Sequence, residues 1–293
     1  MCVPRCGREW TISGPESDDE PFTLTSFPWM KHTRNDFGEP FNVREPKGPF
    51  LDFVTEQIIS ISKSYGLIMN SFHELEGKFI DYWNRECEPK AWSIGPLCLA
   101  ESQRNELQPN QKPTWMQWLD QKLAQGSSVL YIAFGESELA DKFEERVKEK
   151  GIVVREWVDQ RAILGHESIQ GFLSHCGWNS VLESICARVP ILAWPMMVEQ
   201  HLNASMVVEE IKVGLRVETT NGPVRGFVKW QGLGKMVREL MEGEMGKEVR
   251  NNVGEFGEAA KKAMKEGGSS WHTLNQLIDE LQALRGDSLK LCC

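Results

Sequence analysis

No apolar run in the 293 residues reaches the length that crosses a bilayer. The opening MCVPRCGREW has no apolar core of the kind a secretory leader carries. Positive charge is also short: 33 Lys and Arg stand against 42 Asp and Glu, giving a net charge of −9. Such a chain has no general field to attract nucleic acid. Eight cysteines fall without metal-ligand or disulfide-framework spacing, which points to reduced thiols, no metal site and a cytoplasmic location. Cys292-Cys293 at the end does not make a C-a-a-X box. The glycine cluster Gly232-Leu233-Gly234 lacks a third glycine and a preceding strand, which argues against a nicotinamide-binding loop.

What is present is a globular composition, 41% hydrophobic and 26% charged, at a length for one large or two ordinary domains. The first 50 residues, rich in Pro, Gly and acidic side chains, read as irregular. Residues 50–64 carry apolar positions at helical spacing, 66–72 read as a short buried strand, 74–82 as a helix, and 92–99 as an extended segment. Residues 101–113 are polar, end in Pro, and read as a linker between a first domain (1–100) and a second (114–293). Beyond it, short apolar runs at 129–134, 152–154, 169–173, 189–194 and 214–217 alternate with helical patterns at 114–124, 138–149, 178–187 and 200–210. Three more helical patterns, near 228–242, 247–265 and 270–284, follow. Alternation of this kind predicts an α/β fold with a mainly parallel sheet. Ligands of such sheets sit beyond the carboxyl ends of the strands.

The segment Ser174-His175-Cys176-Gly177-Trp178-Asn179-Ser180 follows an apolar run and opens an amphipathic helix. Gly177 allows close approach of the backbone. The N–H groups of Trp178, Asn179 and Ser180, with the polar side chains there, can hold a diphosphate, and His175 can add a hydrogen bond. Glu183 lies one turn on, where a carboxylate can accept from ribose hydroxyls. A capped helix beside a core histidine explains this segment equally well. The flanks matter more: Trp157 can stack on a base, Gln160 can pair with its edge, and Glu199-Gln200 can hold adjacent sugar hydroxyls. Taken singly, the Trp is compatible with core packing, the Gln with solvated surface and Glu-Gln with a first helical turn.

Taken together, Trp157, Gln160, His166, His175, Gly177, Trp178, Asn179, Ser180, Glu183, Pro190, Trp194, Pro195, Glu199 and Gln200 resemble, in one register, the nucleotide-sugar box of plant UDP-glycosyltransferases. The resemblance implies a Rossmann-like parallel sheet of GT-B type with an incomplete N-terminal domain. It implies that Trp157 stacks on uracil and that Val158 and Gln160 contact the base. His175, Asn179 and Ser180 then hold the phosphates, with Gly177 and Trp178 in the same turn; Glu183 holds the ribose, and Glu199 and Gln200 the sugar. A Gln at position 200 goes with glucose as donor. Arg188 departs from the pattern, which usually has Gly there. Gly14-Pro15-Glu16-Ser17, Asn70-Ser71-Phe72, Ile94-Gly95-Pro96 and Trp118-Leu119-Asp120 resemble further landmarks of the family, in order.

The same resemblance implies absences. The family's general-base histidine and its aspartate lie in a part of the N-terminal domain earlier than Gly14, so none of His32, His73, His166, His175, His201 and His272 is assigned a catalytic role. After Phe134-Gly135 a strand and helix of the family, roughly 30 residues, have no counterpart. The expected activity is transfer of a hexose, glucose, from a UDP-sugar to a hydroxyl of a small acceptor such as a flavonoid or other phenolic. No cofactor beyond the donor is expected, and oligomeric state stays open. The alternative is a catalytically inert remnant that at most binds UDP.

Overall fold

The computed structural model describes residues 17–100, 112–133, 143–148, 150–220 and 226–290. Contacts divide the chain into two compact units, Met1–Ala100 with Glu258–Cys293, and Glu101–Gly257.

The first unit opens with a hairpin, β1 (Phe22–Leu24) antiparallel to β2 (Phe27–His32), where irregular chain is expected from composition. Aromatic packing explains the difference. Phe27 lies 5.0 Å from both Phe79 and Tyr82, rings that only the folded chain brings near it. α1 (Pro49–Ser62) follows, then β3 (Leu67–Met69), α2 (His73–Glu86) and β4 (Ala91–Ser93), the two strands parallel. Gly66 precedes β3 because a Cβ there would lie 1.9 Å from the Trp92 ring.

The C-terminal helix also belongs to this unit, where sequence places it in the second domain. This helix and its predecessor are numbered below as α10 (Ser269–Lys290) and α9 (Glu244–Met264). Ser270 Oγ donates to Gly95 O, Ser269 Oγ to Glu74 Oε2 at 2.7 Å, and Lys90 pairs with Glu280. These partners are polar and scattered, so no periodicity announces them.

In the second unit, α3 (Thr114–Ala124) leads into β5 (Val129–Ala133), followed by α4 (Phe143–Val147) and α5 (Gln160–Leu164). Then come β6 (Ile169–Ser174), α6 (Trp178–Ala187), β7 (Ile191–Ala193), α7 (Gln200–Ser205), β8 (Gly214–Arg216) and α8 (Trp230–Glu242). The last turns of the helix expected over 200–210 widen into a π-helix at Met206–Glu210. The sheet has the order β5-β6-β7-β8 and is parallel throughout.

Strand alternation sends successive residues of β6 to opposite faces. Phe172 joins a core with Trp115, Leu119, Ile163 and Leu164, whereas Leu173 joins Leu192, Leu215, Met236 and Leu240. Helices therefore cover both faces, as an apolar parallel sheet requires.

One expected strand is not formed. Residues 152–154 form no strand and pair with nothing among the described residues. Val154 and Val158 still pack against the first core beside Val129, Tyr131 and Ala133. The segment keeps its apolar contacts without a ladder, because among the described residues no strand lies where its edge could pair. Glu136 and the start of the helix expected over 138–149 lie outside the described residues.

Candidate functional site

The carboxyl ends of β6 and β7 carry the residues singled out in sequence. β6 ends at Ser174, and the chain turns through His175, Cys176 and Gly177 into α6. Cys176 sits in the left-handed region at φ 65°. Its N–H donates to Ser174 Oγ at 3.1 Å, and its carbonyl accepts from Asn203 Nδ2 at 2.9 Å. The turn is thus clamped from its own strand and from α7. Burial pushes the Cys176 thiol up to about 12, so it is a packing group rather than a nucleophile.

Gly177 caps α6 with no side-chain hydrogen bond. A Cβ on it would lie 2.6 Å from His175 Nε2, so the glycine makes room for the imidazole. His175 Nδ1 is buried and has no hydrogen-bond partner. A buried ring nitrogen left bare beside an uncapped helix start is an arrangement that an anionic ligand would complete.

On the same side, Gln160 joins three elements. Its Nε2 donates to Ser180 Oγ at 3.0 Å and to Glu183 Oε2 at 2.7 Å, and its Oε1 accepts from Tyr131 OH at 3.4 Å. The start of α5, the first turns of α6 and strand β5 meet here. Burial, with the negative charge of Glu183 adding to it, raises the Tyr131 hydroxyl to about 12, so it stays protonated as a donor. Tyr131 also stacks on Phe172 at 5.0 Å between ring centroids.

The remaining expected site residues fall into three groups. Trp157 is 88% exposed and contacts no other ring among the described residues. Val158 turns its side chain to the core, which leaves its main chain for other work. Trp178 is half-buried and Asn179 exposed in the first turn of α6. Glu199 is exposed at the start of α7. Gln200 Oε1 accepts from the N–H groups of Met196 and Met197 at 2.9 and 3.0 Å, bracing a turn in which Val198 takes φ 52°.

Structure thus brings Gln160, Ser180 and Glu183 into direct contact and places His175 and Gly177 against each other. Among the described residues no hydrogen bond or ring contact ties Trp157 or Glu199 to that cluster.

Tyr131 and Asn203 are contributors that sequence does not single out. Tyr131 reads as one residue of an apolar strand and Asn203 as a helix surface residue, and only spacing in three dimensions marks them. His166, named in the sequence pattern without a role, bridges Ser168 Oγ at 2.9 Å and Asp120 Oδ1 at 3.3 Å and so ties α3 to the turn before β6.

The fold defines a Rossmann-like α/β unit in which a helix start without a side-chain cap lies beside the unpartnered Nδ1 of His175. A match to known proteins narrows that class. Residues 139–245 match the family of UDP-glucoronosyl and UDP-glucosyl transferases. The chain is 47% identical to UDP-glycosyltransferase 90A1 of Arabidopsis thaliana over 91% of its own length and 62% of that protein's. It is 32% identical to scopoletin glucosyltransferase of Nicotiana tabacum over 90% of this chain and 64% of that one. The crystal structure of Glycyrrhiza uralensis UGT73P12 superposes with a TM-score of 0.80 at 27% identity, covering 94% of this chain and 65% of that one.

The chain belongs to the plant UDP-glycosyltransferase family, with the GT-B type of α/β fold. It spans less than two thirds of the length of these relatives. Among the described residues no helix is long and apolar enough to cross a membrane.

Proposed function

We propose that this chain carries the donor-binding half of a UDP-sugar-dependent glycosyltransferase, and that UDP lies across the carboxyl ends of β5, β6 and β7. The diphosphate meets His175 and the N–H groups of the first turn of α6, with Asn179 and Ser180 beside it. Glu183 accepts from the ribose hydroxyls, Trp157 covers the uracil ring, and Val158 and Gln160 meet its edge. Glu199 and Gln200 hold the sugar, read as glucose.

The observation that carries this reading is the contact of Gln160 with Ser180 and Glu183. Side chains read as base-side, ribose-side and phosphate-side contacts are held together by these bonds, which supports a single nucleotide site. The exposed Trp157, three residues before Gln160, supports it as a free stacking surface. In this structure the Gln160 amide is engaged with Glu183, so binding would exchange that internal bond for bonds to the ligand.

For the whole protein we infer transfer of a hexose to a hydroxyl of a small acceptor. The chemistry is inverting displacement at the anomeric carbon, with UDP leaving as the anion that the helix start and His175 stabilise. The acceptor class rests on relatives alone: scopoletin glucosyltransferase, and a UDP-glucose flavonoid 3-O-glucosyltransferase of Fragaria ananassa that is 30% identical. The test is calorimetry of this chain with UDP and UDP-glucose, beside a glucosylation assay on scopoletin and a flavonol. Saturable UDP binding supports the donor site. Absence of binding by folded protein overturns it, and turnover decides whether these residues alone suffice for transfer.

A further inference from the structure

The segments that carry the proposed donor site, residues 156–160, 174–183 and 194–205, contain no Lys or Arg. They do contain Glu156, Asp159, Glu183 and Glu199. A nucleoside diphosphate is a polyanion, and the N–H groups of a helix start offer it only partial charge. A full positive charge held close by would favour it over these carboxylates.

Arg216 is placed to supply that charge. Ser174, Ala193 and Arg216 are the last residues of β6, β7 and β8. They are partners in register across the sheet, so their side chains leave by the same face. Neighbouring strands lie about 4.8 Å apart, which puts the Arg216 backbone roughly 10 Å from that of Ser174. Ala193 stands between them, buried and with only a methyl group, so β7 leaves the way open. On the same face of β8, a Cβ on Gly214 would lie 2.7 Å from Val207 Cγ1, so the π-helix covers the strand there. The Arg216 side chain is accordingly only 15% exposed.

Its partners tie it to the turn after β6. Nη2 donates to Ser205 Oγ at 2.9 Å, at the end of α7. Two residues earlier in that helix, Asn203 holds the Cys176 carbonyl. Glu209 Oε1 stands 4.0 Å from Nη2 on an exposed side chain. That is the outer limit of an ion pair, so it offsets the guanidinium only weakly. Burial raises the Cys176 thiol, and the charge of Arg216 works against that rise, so its field reaches the turn. An enclosed cation is costly unless an anion lies near it.

We propose, on the donor-site reading above, that Arg216 is a positioning residue of that site. Pinned by Ser205 behind the turn, it favours the diphosphate of the donor and of departing UDP. It acts across the turn and α7 rather than by contact with the ligand.

Calorimetry of the full chain with uridine, UMP and UDP tests this on the parent, Arg216→Gln, Arg216→Lys and Glu209→Gln. The loss in Arg216→Gln should grow with ligand charge: within about twofold for uridine, about tenfold for UDP, and UMP between them. Arg216→Lys keeps the charge and should hold UDP within about threefold of the parent. Glu209→Gln removes the offsetting carboxylate at the surface and should tighten UDP about twofold. An equal loss for all three ligands in Arg216→Gln would make the residue a tie between β8 and α7 alone, and overturns the proposal. Unchanged UDP affinity in that variant overturns it too, as does an Arg216→Lys variant as weak as Arg216→Gln. If Arg216→Gln does not fold, Glu209→Gln decides: UDP binding no tighter than the parent's overturns the proposal. A folded parent that binds no UDP is a separate result, which overturns the donor-site reading itself and this inference with it.

Discussion

Gln160 Nε2 donates to Glu183 Oε2 at 2.7 Å, joining the start of α5 to the second turn of α6. A neutral amide on a carboxylate is among the stronger hydrogen bonds. It anchors the unladdered stretch 152–158 to α6, from two residues past its end. Under the proposed function, positioning and ligand binding draw on the same pair, and substitutions there separate the two roles.

Glu183→Ala removes the acceptor assigned to the ribose. Hydrogen bonds to a charged group contribute about 1.5–3 kcal/mol, so UDP affinity should fall roughly ten- to hundredfold by calorimetry. Uracil, which has no ribose, should bind the variant as it binds the parent. Equal affinity of variant and parent for UDP would remove Glu183 from the site.

His175 and Gly177 give a paired prediction. A methyl group on Gly177 would meet His175 Nε2 at 2.6 Å, so Gly177→Ala must swing the imidazole out of its place. Both Gly177→Ala and His175→Ala should weaken UDP by about 1–3 kcal/mol and leave uridine, which has no phosphate, almost unaffected. Calorimetry with the two ligands checks this. A parallel loss of uridine binding would mean a general collapse of the turn.

The second unit was largely legible in its residue pattern, because most of its elements follow from periodicity and terminators. The helices Thr114–Ala124 and Trp178–Ala187 fall on the helical patterns read over 114–124 and 178–187. Three features escaped. The hairpin at residues 22–32 depends on Phe79 and Tyr82, some 50 residues on. The segment 152–154 has strand composition, but strand formation needs a neighbour that composition cannot supply. The grouping of α10 with the first unit rests on hydrogen bonds from Ser269 and Ser270, residues that are common helix starts anywhere. At the site, the motif residues were legible by type, and the Tyr131 and Asn203 contacts that hold them were not.

Arg188 occupies the left-handed region at φ 61°, ψ 34° at the end of α6. A non-glycine residue there costs about 1–2 kcal/mol, and the side chain also packs toward Gly257, with Cγ 2.6 Å from where a Cβ on that glycine would lie. The residue is exposed, and the contacts of an exposed charged side chain contribute little, so backbone strain outweighs them. Arg188→Gly should therefore raise stability by about 1 kcal/mol, read as a higher urea midpoint with unchanged slope. A lower midpoint would show that the arginine's packing dominates.

Tyr131 gives the pH dependence. Its hydroxyl is raised from 10.0 to about 12 in the folded protein, mainly by burial and then by the charge of Glu183. Between those two values the unfolded chain has lost the phenolic proton and the folded chain retains it. The folded state then binds more protons, so stability falls as pH rises through that window and levels off above it. Tyr131→Phe has no proton to lose. It should flatten the alkaline fall of the urea midpoint between pH 10 and about 12, while removing the long 3.4 Å bond to Gln160. In the parent, absorbance at the tyrosinate band should show one group ionising only as unfolding begins, and that component should be missing from the variant. If the variant shows the parent's alkaline slope, the phenol is already solvated, and Gln160 is held by Ser180 and Glu183 alone.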